Sequence, residues 1–137
     1  ETWLSPLSEM NEDGDPMTEI LSYVQRKLDM ARAYPRESRL FAGEILRGAH
    51  YIAPHLRTDF QPLFDEKCRL ITSWINSGHI AQIDPQHFLF SVWATTQHYA
   101  DFAAQIELLQ SDQPVAGQGA SAYLRTLFER LLTPAQH

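Results

Sequence analysis

The stretch from Asp84 to Leu109 constrains the chain most, because it reads as one long helix with too few polar positions to stand alone in water. Asp84 can accept a hydrogen bond from the free amides of a first helical turn, and Pro85 has its φ already set for a helix. His87, Ser91, His98, Asp101 and Gln105 recur at steps of three and four, with Ala94 filling the gap, and most other positions are apolar or small. A helix with so narrow a polar side must be covered on more than one face. One cover is the domain's own core, and for so short a chain the other is expected to be a second subunit.

The remaining stripe of this helix is Trp93, Gln97, Ala100, Ala104 and Leu108, where a carboxamide sits among apolar neighbours one turn from an indole. Burying an amide without hydrogen bonds costs about 1 to 3 kcal/mol, so Gln97 needs a partner. Two readings are open: a core glutamine satisfied by protein groups beside a core tryptophan, or an amide that reads the donor and acceptor edge of a ligand. Ala100 and Ala104 would keep room beside the helix in the second case.

The rest of the chain is helical by pattern. Trp3, Leu4 and Leu7 fit the last turns of a helix that ends at the turn formers Asn11 to Asp15. Asp15 and Pro16 repeat the cap-then-proline start, and Ile20, Tyr23, Val24, Leu28 and Ala31 predict a helix from about Pro16 to Tyr34. A short helix from Pro35 closes near Gly48, and a longer one runs from Pro54 to Gly78 with Pro62 bending it. Gln110 to Gly119 reads as a loop, and a final helix over about Ala120 to Leu132 places Ala120, Leu124, Leu127, Phe128 and Leu131 on one face. No strand alternation, repeat or linker interrupts this pattern, so the fold class is all-α, one domain over residues 1–137.

The formal charge of −6 and a pI near 5.4 argue against this chain gripping a phosphate backbone by itself. A lone Cys68, no stretch with the zones of a signal peptide and none apolar enough to span a membrane point to the cytoplasm and to no membrane partner. The chemistry is sparse. His87 and His98 alone share a helix and match no metal spacing, so neither a metal nor a cofactor is expected. His98 and Asp101 could pair at i and i+3, Asp65 and Glu66 point in different directions, and Lys27, Arg32, Arg36 and Arg39 read as helix-surface cations. No catalytic constellation emerges, whereas a pocket at Trp93 and Gln97, with Trp3 free to fold over it, does.

The string Trp93-Ala94-Thr95-Thr96-Gln97-His98-Tyr99-Ala100-Asp101-Phe102, preceded by Ile83-Asp84-Pro85-Gln86-His87, closely resembles the penultimate helix of TetR-family transcriptional repressors of the pyrimidine-utilisation type. Trp3-Leu4-Ser5-Pro6-Leu7, Tyr34 to Phe41, Asp65-Glu66-Lys67 and Trp74 to Gly78 resemble the same family in the same order, up to about Ile106. The resemblance implies a TetR-type C-terminal domain that binds an effector and dimerises through a four-helix bundle. It also implies that Trp3, Trp93 and Gln97 hold a pyrimidine base, with Ala100 beside them. The homodimer contact is then expected at Tyr99, Phe102, Leu124, Leu127, Phe128 and Leu131.

The N-terminal helix-turn-helix domain of that family is missing from the sequence, so operator DNA is expected as a partner only of the full-length protein. The expected function is therefore ligand sensing and dimerisation within a transcriptional repressor, not catalysis, with uracil or thymine first among effectors. Two alternatives remain: a small helical enzyme using His98 or Asp101 as base at the Trp93 pocket, and a purely structural dimer module.

Overall fold

The computed structural model describes residues 5–110, 112 and 117–135. In chain order the helices are α1 (Ser5–Ser8), α2 (Pro16–Ala33), α3 (Pro35–Leu46), α4 (Ala53–His55), a π turn (Leu56–Phe60), α5 (Gln61–Asn76), α6 (Pro85–Asp101), α7 (Ala103–Leu109) and α8 (Ala120–Leu132). Every element among the described residues is helical, as the patterning predicts, and none is long and apolar enough to cross a membrane. Trp3 and Leu4 lie outside the described residues, as does much of the Gln110 to Gly119 connection.

Local chemistry explains where the helices start and stop. Asp15 accepts from the Thr18 amide at 3.0 Å and Asp84 from the His87 amide at 3.0 Å, each just before a proline. The Thr18 amide, with its hydroxyl, holds the Asp15 carboxyl below its usual range. Pro35 keeps Tyr34 out of helical geometry, which ends α2 and opens α3. Gly78, with φ +79°, closes α5 with paired bonds from its own amide to Ile75 O and from His79 N to Trp74 O. The bend expected at Pro62 takes the form of the π turn immediately before it: a proline donates no amide and crowds the carbonyl four residues back.

α2 is the central member. It packs along α6 and α8 and also meets α1 and α3. Its expected stripe of Ile20, Tyr23, Val24, Leu28 and Ala31 is buried, and Leu7, Met10, Ile71, Trp74, Leu89, Val92, Leu124, Phe128 and Leu132 complete the core. A bond from Ala81 N to Leu132 O at 2.8 Å ties the middle of the α5–α6 connection to the end of α8.

Two expectations give way. The helix from Pro85 does not continue to Leu109 but breaks at Phe102, with φ −118° and ψ 29°. Arg39 Nη1, from α3, donates to Ala100 O at 3.2 Å, and Ser38 Oγ to the Asp101 carboxylate at 2.7 Å. A side chain drawn onto a helix carbonyl interrupts the ladder at that place. Because of the break, Ala104 and Leu108 turn out to solvent and do not extend the Trp93 stripe.

The second concerns the two apolar stripes of α8. Leu124 and Phe128 are enclosed by the chain's own core, with Phe128 edge-on to Phe88 at 5.5 Å, so neither is available to a partner subunit. Tyr123, Leu127 and Leu131 are the ones that stay open, at 65%, 38% and 46% exposure.

Candidate functional site

Trp93 stands where the π turn, α5 and α2 meet α6. Its indole contacts Phe60, Phe64 and Phe90 at ring distances of 5.6, 5.8 and 5.6 Å, so three phenyl rings surround it. Its Nε1 donates to the Tyr23 hydroxyl at 2.7 Å, which fixes the ring's rotation. Burial pushes the Tyr23 phenol up to about 12, opposed by the Trp93 hydrogen bond.

Gln97 follows one turn later and is half-buried. Among the described residues no hydrogen bond reaches its amide. The buried polar group of this helix is Thr96, whose hydroxyl donates back to Val92 O at 2.7 Å.

Lys27, expected on the surface, is instead buried at 6% exposure, one turn beyond Tyr23 on α2. Its position completes the apolar stripe of α2, between Tyr23 and Ala31 at steps of four, and that register was the available signal. Burial pulls its ammonium down to about 8, against the opposing attraction of Asp101. Asp101 in turn accepts from Ser38, which is itself buried, and not from His98; the His98 ring stacks on Phe102 at 5.0 Å. The i and i+3 pairing open to His98 and Asp101 is therefore not formed.

Ala100 is enclosed at 1% exposure and keeps no open space beside Gln97. Two cavities lie elsewhere: a groove of about 240 Å³ between α2 and α8, lined by Thr18, Gln25, Ser121 and Arg125, and a wider cleft of about 690 Å³ at Met10, Asn11, Lys67 and Arg69. Neither includes Trp93 or Gln97. Neither cavity gathers an aromatic cluster with convergent polar groups. Among the described residues no group of His, Cys, Asp and Glu could hold a metal ion. Cys68 packs beside the core, and burial raises its thiol to about 11.

Residues 1–133 fit the family model of the YcdC-like protein, C-terminal region. The chain belongs to this family of TetR-type C-terminal regions. The HTH-type transcriptional regulator RutR of Escherichia coli (strain K12) and that of Shigella flexneri are each 50% identical to it over 105 residues, 77% of this chain and 50% of the relative. The chain spans about half the length of these curated relatives. In this YcdC-like region exposed apolar residues occur on α3, on the outer side of α8 and at the α6–α7 corner, where Phe102 is 55% exposed and Tyr99 lies against Gly117.

Proposed function

We propose that the chain is the effector-sensing and dimerisation region of a TetR-family transcriptional repressor, and that its effector is a small planar heterocycle, uracil or thymine first. One observation carries the reading: a half-buried Gln97 amide with no hydrogen bond among the described residues, one turn from an indole held by Tyr23. Flat faces suit a ring, and an amide offers one donor and one acceptor side by side, which matches an imide edge. Trp3 is proposed to supply the second flat face. The relatives named as HTH-type transcriptional regulators support a regulatory, non-catalytic role in the cytoplasm.

The proposed homodimer uses Tyr99 and Phe102 from the α6–α7 corner with Leu127 and Leu131 from α8. Phe102, Leu127 and Leu131 are exposed and Tyr99 is half-buried, and exposed apolar side chains are what a self-complementary contact would cover. Operator binding is assigned to the portion of such a regulator that this chain does not span. Ligand would then act by favouring one arrangement of the dimer over another.

Calorimetric titration with uracil and thymine tests the effector. Saturable binding by the wild type, weakened roughly 5- to 150-fold by Gln97→Leu, is the expected outcome. Equal binding by the variant would overturn the assignment of Gln97, and no binding of either ring would overturn the effector class.

A further inference from the structure

The π turn Leu56–Phe60 buries none of its five residues, yet its last one, Phe60, reaches the indole of Trp93 at a ring distance of 5.6 Å. The Gln61 amide that closes this turn bonds to Leu56 O, five residues back, because the following residue is Pro62. Such turns have poorer packing than an α-helix and recur at functional sites. Half-buried Phe60 is also the end of a row: its ring stacks on Phe64 at 6.0 Å, and Phe64 stacks on Phe90 at 6.0 Å. All three meet the indole at a slant, between 48° and 59°. On α6, Phe90 precedes Trp93 by three residues and Gln97 follows it by four, so the phenyl row and the amide stand at opposite ends of the indole along the helix.

We infer that Phe60 is a specificity-determining residue of the effector site, the stop that limits the effector to a single six-membered ring, and that Pro62 is its positioning residue. This rests on the reading that a planar ring binds at Trp93 with an imide edge on Gln97. In uracil the carbon–carbon edge lies away from the imide, so an imide held by Gln97 turns that edge toward the phenyl row. Xanthine carries the same imide on the same ring and fuses a second ring at that far edge. What Gln97 reads is unchanged, and only the length along α6 grows. Of the three phenyls, Phe64 is fixed in the core and Phe90 stands on α6 itself with 45% of its surface in solvent. Phe60 comes from a separate element, and its place depends on the register that Pro62 imposes.

The test is calorimetric titration of the chain and its variants with uracil and with xanthine. The wild type is expected to prefer uracil by roughly 5- to 150-fold, the range that overpacking a filled site costs. Phe60→Ala should bind xanthine about 10-fold more tightly than the wild type does while losing a smaller factor for uracil, so the preference narrows or inverts. A purely structural role for Phe60 would weaken both rings alike and leave the ratio unmoved. Pro62→Ala restores an amide donor, lets the α-helical register run back through residues 56–60 and carries Phe60 off the indole, so it should narrow the same ratio with Phe60 still present. Xanthine bound by the wild type as tightly as uracil, or a wild-type ratio in Phe60→Ala, would overturn this inference and leave the effector reading standing. A wild-type ratio in Pro62→Ala would overturn the positioning role of Pro62. Failure of the wild type to bind uracil at all would overturn the effector reading as well.

Discussion

α6 takes part in two contacts of opposite character, a local one with α8 and a long one along α2 and α3. Toward α8 it is dry: Phe88 meets Phe128 edge to face at 5.5 Å, with Leu89, Leu124 and Leu132 closed around them. Toward α2 and α3 the same helix meets a phenol, an ammonium, a serine hydroxyl and a guanidinium, and presents an indole N–H, an amide and a carboxylate. Burying polar groups is costly unless their bonds are complete, so a core built for stability alone would resemble the first contact throughout. The second gives up some stability, and what it retains is a set of directed donors and acceptors. The contrast separates the part of the core that holds the fold from the part available for recognition.

The largest test of that contrast is truncation on each side. Phe128→Ala should cost about 3 to 5 kcal/mol in urea unfolding, because a fully enclosed ring is replaced by a cavity. Trp93→Ala, at a half-buried site, should cost less stability while abolishing ring binding. Equal losses of stability from the two would break the distinction.

Next in size is the separation of α8's two stripes. Leu127→Glu should halve the mass seen by sedimentation and leave the urea midpoint of the isolated subunit almost unchanged, since Leu127 is 38% exposed. A monomeric wild type at micromolar concentration would remove the dimer proposal. Gln97→Leu is smaller still in stability, expected within about 0.5 kcal/mol of wild type by thermal unfolding, because no bond of the described fold is lost.

The smallest effect is on pH dependence, and it too belongs to the polar seam. Lys27 titrates near 8 in the fold against 10.5 ordinarily, so between those values the unfolded chain binds the proton that the folded chain has released. Stability should therefore rise from about pH 8 toward 10.5. Tyr23, raised from 10 to about 12, holds its proton in the fold when the unfolded chain has lost it, so stability should fall from pH 10 toward 12. Urea midpoints across this range should pass through a maximum near pH 10, with Lys27→Met flattening the rise and Tyr23→Phe the fall. No corresponding dependence is expected from the α8 side, which buries no ionisable group in that contact.

The helices were legible because their signals are local. Asp15 and Asp84 before prolines, Gly78 after Asn76 and the stripe of α2 each act within one or two turns, and α8 spans Ala120–Leu132 as its pattern predicts. The pairing of Trp93 and Gln97 on one side of a helix was legible for the same reason. Tertiary structure alone decided which apolar stripe of α8 turned inward, because Leu124 and Phe128 differ from Leu127 and Leu131 in what faces them and not in hydrophobicity. It also decided that Lys27 is buried, that Trp93 bonds Tyr23 across 70 residues of chain, and that Arg39 reaches Ala100 across 61 to break the long helix at Phe102. Periodicity says which residues share a face, but the free energy of a face depends on what is packed against it, and those partners come from distant parts of the chain.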